Sequence, residues 1–483
     1  MAGDEAPFFA LIDLLAKDWL TTARMAERKS YRGRRAATRK RAPPTHQAPA
    51  GDGETTPSSS QNVIPRQSLI RTYRINRGRA MREILQPPPT HYSGNVEACR
   101  SHWTKEGSAR DIEADQLDAL LRQSFPPAER PSASIAAPLS AEEIGRRLHR
   151  ANNTAPGADR LEYRHLRQLD PEARLLTPIL NGCLRLGRVP PAWKSGTTIL
   201  IHKKGNPSDP GNFRPITLLP TMYKLLAGCL AARLSKWAQV SGVLSAQQKG
   251  FVPGVEGCLE QSFLVGAAFE EASDTTVRKR GTPIYSAFLD LQNAFGSVPH
   301  AVLLRVLRWV GVDEEFCTFA EHLYAGSSVS LRVHGISVTP FPVSAGVRQG
   351  DPLSPILFDI AMEPVIRAAL GLAQIGGFPI GVHRLAVCAL ADDLALFADS
   401  EEHLQSFVSE VERAASTMGL RFRPEKCTVI ARCREVEIPA GIRLQGSLIP
   451  TAAAGETVTY LGAPQGFGHP RAELEQALAT LTR

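Results

Sequence analysis

The chain has 483 residues, 43% hydrophobic and 22% charged, enough for a sizeable core and more than one ordinary domain, and its net charge of +8 is too small at this length to assign a partner by itself. Its eight cysteines form no C-x-x-C pair, which excludes a disulfide scaffold or a zinc ribbon and reads as a reduced intracellular chain. No apolar run is long enough to span a bilayer, and no basic stretch followed by an apolar one marks a secretory leader.

Arg24, Arg28, Lys29, Arg32, Arg34, Arg35, Arg39, Lys40 and Arg41 crowd one early stretch, with Glu27 alone against them. That run predicts a basic arm suited to nucleic acid or nuclear import, or a solvated tail. Residues 42–62, rich in Pro, Gly, Ser and Thr, cannot bury enough surface to offset ordering, so residues 1–63 read as a basic arm and disordered linker. Residues 64–139 read as an arginine-rich helical extension. There Leu69, Ile70, Tyr73, Met81, Ile84 and Leu85 recur near helical spacing, arginines at 66, 71, 74, 77, 79 and 82 cover the other faces, and Pro87 ends the pattern. Such a helix suits nucleic-acid backbones, or is an ordinary surface helix. Cys99 and His102 have ligand-like spacing but no second pair, so no metal site is assigned there. A Pro- and Ser-rich break over 126–138, then Ser140 with Glu143 in capping-box spacing, predicts the main domain boundary.

Beyond it strands and helices mix. Strands are expected over 197–202 and 284–290, a helix after Pro299, and a hairpin around His334-Gly335. A helix over 355–370, broken near Pro364, precedes two short apolar strands, 386–390 and 394–398, that flank Ala391-Asp392-Asp393. A further helix runs over 402–418, capped by Asp399 or Ser400.

The chemistry lies in Asp290, Asp392 and Asp393. A carboxylate at the end of a buried strand is costly unless paired or metal-bound. Two such places suggest carboxylates converging at one sheet edge, a setting that suits Mg²⁺, a hard cation taking oxygen ligands. An acidic turn alone is common and carries little weight.

The order of segments then resembles the reverse transcriptases, and among them those of non-LTR retrotransposons. The stretch Trp193 to Gly205 with Asn212-Phe213-Arg214-Pro215-Ile216 is similar to the fingers motif, and Gln248-Lys249-Gly250-Phe251-Val252-Pro253-Gly254 to the next. Phe288-Leu289-Asp290-Leu291-Gln292-Asn293-Ala294-Phe295 resembles motif A, Gly346-Val347-Arg348-Gln349-Gly350-Asp351-Pro352-Leu353-Ser354-Pro355 motif B, and Leu390-Ala391-Asp392-Asp393 motif C. Gly419 to Cys427 resembles motif D, and Tyr460-Leu461-Gly462 motif E. The arginine-rich extension is similar to that of the site-specific branch with a restriction-enzyme-like nuclease.

The resemblance implies an α+β fold of right-hand polymerase type, with fingers over 140–280, a palm with a small antiparallel sheet over 281–466, and the start of an incomplete thumb over 467–483. It implies RNA-directed DNA synthesis with two Mg²⁺ ions, an RNA template, a DNA primer and dNTPs, in or around the nucleus, with any endonuclease activity coming from outside this chain. Asp290 and Asp392 would ligate both metals with Asp393 in support. Lys203 and Arg214 would hold the triphosphate, Lys426 would lie near the pyrophosphate, and Gln349 and Gly350 would meet nucleotide and template. Phe295 would be the steric gate against a ribose 2′-hydroxyl. Leu390 departs from the aromatic residue common before Ala-Asp-Asp. Three rivals share features: an RNA-dependent RNA polymerase, against which Phe295 argues, a group II intron maturase, and an inactive RNA-binding remnant.

Overall fold

The computed structural model describes residues 5–39, 90–126, 134–273, 283–433, 436–438, 440–453 and 455–466. The expected linker, the arginine-rich stretch 64–89 and the expected thumb start 467–483 lie outside the described residues. Among the described residues, helices of ten residues or more are α1 (Glu5–Arg39), α2 (Val96–Glu106), α3 (Ala114–Ser124), α4 (Ala141–Arg150), α5 (Leu176–Leu186), α6 (Thr221–Val240), α7 (Gly257–Ser273), α8 (His300–Trp309), α9 (Glu314–Tyr324), α10 (Ser354–Leu370) and α11 (Glu401–Thr417). The Ser140 hydroxyl accepts from the Glu143 N–H at 3.1 Å and so starts α4, while the Glu143 carboxylate pairs with Arg233 instead of closing the box.

Two sheets frame the molecule. The first holds β1 (Ser195–His202), β2 (Phe213–Leu218), β4 (Ser328–Val333), β5 (Ile336–Ser337) and β6 (Phe341–Pro342), in the order β2-β1-β4-β5 with β6 also on β4. The second runs β12-β11-β3-β10-β9 and is antiparallel throughout: β3 (Ile284–Leu289), β9 (Val387–Leu390), β10 (Asp393–Ala398), β11 (Thr428–Cys433) and β12 (Val436–Glu437). Among the described residues three small hairpins complete the strands: β7–β8 (Phe378–Ile380, His383–Leu385), β13–β14 (Arg443–Leu444, Ser447–Leu448) and β15–β16 (Val458–Tyr460, Ala463–Gln465).

Every residue of β3 is buried, because both faces of its sheet are covered. Tyr285, Ala287 and Leu289 join the main core; Ile284 and Phe288 join a second cluster with Phe269, Phe378, Phe397 and Ile430. The main core is built around α10, whose Leu357, Phe358, Ile360, Met362, Val365 and Ile366 are buried against α3, α6, α8 and α11. Side chains of this size contribute about 1.5–3 kcal/mol each on full burial.

Three expectations need correction. Residues 5–39, read as part of a basic arm, form α1, and Ile12, Ala16 and Trp19 on one face are buried in the main core. Their spacing of four and three residues makes an apolar stripe that the arginine run conceals. The expected break near Pro364 is absent: α10 runs through it, its burial on all sides outweighing one missing N–H bond. The split at 280/281 is not a spatial one. Strand β4, from the expected palm range, pairs in parallel with β1 of the expected fingers. The hairpin at 334–335 is as expected, with His334 and Gly335 both at positive φ as a type I′ turn requires.

Candidate active site

Asp290 directly follows β3, and Asp392 and Asp393 lie at the β9–β10 turn. In the β3–β10 ladder Leu289 faces Leu394, so continuing the register sets position 393 against position 290. Burial raises the Asp392 carboxyl above the ordinary carboxylate range, and the Asp290 charge raises it further. Asp393 is pushed up to about 6, first by desolvation and then by the charges of Asp392 and Asp290. Three carboxylates thus share one electrostatic site, as the strand ends predicted.

The turn between them is strained and braced. Leu390 pairs with Asp393, leaving a two-residue loop whose first residue, Ala391, has φ of 55°. Such a position favours glycine, and a side chain there costs of order 1–3 kcal/mol. Gln248, 2% exposed, offsets it: its Oε1 accepts from the Ala391 N–H and the Gly250 N–H, both at 2.8 Å, and its Nε2 donates to the Ala391 carbonyl at 3.4 Å. At Gly250 an added Cβ would lie 2.4 Å from the Ala391 nitrogen, so only glycine lets the two segments meet. Gln248→Ala is expected to destabilise the fold by about 1–3 kcal/mol, because two buried N–H groups lose their acceptor. Urea unfolding midpoints check this; an unchanged midpoint would show that the turn holds without the amide.

Opposite the carboxylates stands a group of cations. Lys203 follows β1, Arg214 lies on β2, and Lys426 lies in the turn Pro424–Lys426 before β11. Desolvation depresses the Lys203 ammonium, and so do the neighbouring charges of Arg214, Arg423 and Lys426, while Asp290 works the other way. The three expected cations thus share one electrostatic neighbourhood centred on Lys203, which Asp290 also enters, and Lys203 and Arg214 both act on Asp392. The structure adds Arg423, whose Nε lies 3.3 Å from the Asp290 Oδ2.

Phe295 stacks on Phe358 of α10 at 4.2 Å and 16°, and meets Phe251 edge-on at 5.9 Å and 86°. Gln349 and Gly350 dock on β2: the Gln349 carbonyl accepts from the Thr217 N–H at 2.7 Å. Gly350 has φ of 113°, and a Cβ there would lie 2.5 Å from the Thr217 carbonyl oxygen. Buried Asp351 holds this loop by accepting from the Leu353 N–H at 3.0 Å and from the Tyr223 hydroxyl. A half-open apolar pocket lies behind it, lined by Trp103, Thr198, Thr217, Asn293, Val347 and Gln349 among others.

Sequence reasoning missed Gln248, Arg423 and Asp359. The first two sit inside segments already singled out, but nothing in charge or periodicity distinguishes them from their neighbours. Asp359, in α10, is fully buried, and neither carboxylate oxygen has a hydrogen-bond partner. Burial, then the charges of Glu363 and Asp392, raise its carboxyl well above the ordinary range. The folded protein thus keeps a proton that the unfolded chain releases above about pH 4, so this group costs stability as pH rises. Asp359→Asn cannot ionise. Its stability is expected to gain on the parent's between about pH 5 and about pH 8, by roughly 1 kcal/mol or more, read as a widening gap in melting temperature. A gap that stays constant across that range would show the carboxyl is not protonated in the fold.

The donor set fits a hard divalent cation. It offers carboxylate oxygens whose repulsion such an ion would relieve, and the Asp290 Oδ2 is buried without a hydrogen bond. Among the described residues no three Asp, Glu, His or Cys side chains form a finished metal cage. Mg²⁺ requires none, since it binds through one or two carboxylates and completes its shell with water and phosphate.

Comparison with known proteins agrees with this geometry. The family described as "Reverse transcriptase (RNA-dependent DNA polymerase)" matches residues 201–464, more than half of the chain. The retrovirus-related Pol polyprotein from the type-1 retrotransposable element R2 of Nasonia vitripennis is 30% identical over 61% of this chain and 27% of its own length. That of the type-2 element R2DM of Drosophila melanogaster is 29% identical over 84% of this chain and 34% of its own. The RNA-directed DNA polymerase from mobile element jockey of Drosophila melanogaster is 28% identical over 61% of this chain and 32% of its own. The chain thus spans about a third or less of these relatives' lengths. With carboxylates on two facing strand ends, a glycine-bearing loop docked on the neighbouring sheet and a family match across both, the chain belongs to the reverse transcriptases, in the company of those from non-LTR retrotransposons.

Proposed function

We propose that this chain is an RNA-directed DNA polymerase that joins dNTPs to a DNA primer on an RNA template. The observation that carries the reading is one charge-coupled site in which Asp290, Asp392 and Asp393 act on one another, Lys203 and Arg214 act on Asp392, and Arg423 meets Asp290. Carboxylates and cations so placed sort the two halves of a metal–triphosphate substrate. In the reaction the primer 3′-oxygen attacks the α-phosphorus and pyrophosphate leaves.

Asp290 and Asp392 would hold two Mg²⁺ ions, with Asp393 in support. Bound there, Mg²⁺ supplies a lowered pKa for the primer hydroxyl and neutralises phosphate charge. Lys203 and Arg214 bind the triphosphate, Arg214 through its fork of donors, and Lys426 faces the leaving pyrophosphate. Gln349 and Gly350 present backbone and amide to the nascent pair. Phe295 closes the space that a 2′-hydroxyl needs. Among the described residues no helix is long and apolar enough to cross a membrane. We place the protein's action in or around the nucleus, in keeping with a retrotransposon.

Primer extension tests the reading: purified chain, an annealed RNA template and DNA primer, Mg²⁺ and dNTPs. Extension dependent on template and dNTPs is the expected result. A preference for NTPs would assign an RNA polymerase instead, and RNA retention without any extension would leave a binding protein.

A further inference from the structure

The Asp290 carboxylate already faces a counter-ion. Arg423 leaves the loop after α11, and its N–H donates to the Asp290 carbonyl at 2.9 Å. Its Nη2 donates to the Leu291 carbonyl at 3.4 Å, and its Nε comes within 3.3 Å of the Asp290 Oδ2. That last contact is one of charge alone: neither the Nε nor the Oδ2 makes a hydrogen bond. The guanidinium is thus tied by its backbone and one amino group, while its link to the carboxylate is loose.

Lys203, Arg214, Lys426 and Arg423 crowd the same space. A divalent cation arriving at Asp290 by itself meets a guanidinium against its ligand oxygen and the Lys203 charge beside the same carboxylate. A nucleotide brings the opposite charge, with a triphosphate able to accept from the forked donors of an arginine. We infer that Arg423 is an exchangeable counter-ion, paired with Asp290 in the metal-free protein and transferred to the triphosphate as the cation takes the carboxylate. This deepens the polymerase reading and rests on it. Its consequence is thermodynamic: cation and nucleotide each favour the other's binding, because either one alone leaves Arg423 facing a like charge or the carboxylate still paired. Arg423 is a positioning residue here, setting the order and cooperativity of loading.

The test measures the Mn²⁺ retained with the whole chain in equilibrium dialysis, with and without pyrophosphate, at fixed pH, against protein-free pyrophosphate as the reference. Arg423→Gln is expected to bind Mn²⁺ alone about five- to tenfold more tightly and to lose most of the enhancement that pyrophosphate gives the parent protein. Arg423→Lys keeps the charge and is expected to retain the parent's weak binding of Mn²⁺ alone. Unchanged or weaker Mn²⁺ binding in Arg423→Gln overturns the inference, as does a lysine variant that behaves like glutamine. Asp290→Asn with Asp392→Asn separates the two levels: Mn²⁺ binding that survives this double change sinks the metal site itself.

Discussion

Asp392→Asn is expected to lower primer extension by roughly three orders of magnitude, the scale on which removal of a single preorganised electrostatic partner acts, while leaving the fold at least as stable as the parent's. The two halves of that expectation arise from one fact. Burial and the Asp290 charge raise the Asp392 carboxyl, so its ionised form is unfavourable in the folded protein. A group whose folded pKa is raised costs stability above its unfolded pKa, and replacing it by a neutral isostere removes that cost. Asparagine preserves the shape of the turn that Gln248 braces through Ala391, so the register of β9 against β10 has no reason to shift. A residue kept for structure would lose stability and activity together. Steady-state extension and thermal unfolding on the same preparation read both. A melting temperature that falls with the activity would make Asp392 a structural residue of the hairpin.

The same hairpin shows what a sequence can reveal. Strands β3, β9 and β10 are short apolar runs ending in carboxylates, and that local contrast places them to within a residue or two. The turn chemistry of His334-Gly335 and the Ser400 cap of α11 are legible for the same reason: each is decided by neighbours in sequence. The long-range features are not. Gln248 reaches Ala391 across 143 positions, and a lone glutamine in a polar loop gives no sign of that. The parallel pairing of β4 with β1 sets Ser195 against Ser328, on strands far apart in the chain, which no local pattern encodes. Helix α1 was hidden for a different reason. Its buried stripe of Ile12, Ala16 and Trp19 is followed by a dense arginine run, and charge that strong suggests a solvated arm even where the preceding turns carry a core face. Asp359 was invisible because a single acid within an apolar helix reads as a surface position, whereas α10 has no surface side.

Phe295→Val is expected to lower discrimination against ribonucleotides by roughly a hundredfold while changing the rate with dNTPs by only a few-fold. The size of the effect depends on whether the ring can yield. An aromatic ring free to rotate accommodates an extra hydroxyl at little cost; one clamped on two sides does not. Phe295 lies flat on Phe358 at 4.2 Å and is met on its edge by Phe251, and Phe358 is itself fully buried in α10. Forcing one more heavy atom against packed side chains of this kind costs about 1–3 kcal/mol, and each 1.36 kcal/mol is a factor of about ten in relative rate. Phe251, 57% exposed, supplies the weaker side of the clamp. Phe251→Ala should therefore relax discrimination less than Phe295→Val does, even though it leaves the gate residue in place. Competition between dCTP and CTP at one template guanine measures both. Equal discrimination in the Phe295→Val protein and its parent would return this ring to core packing, and would reopen the case for a polymerase that makes RNA.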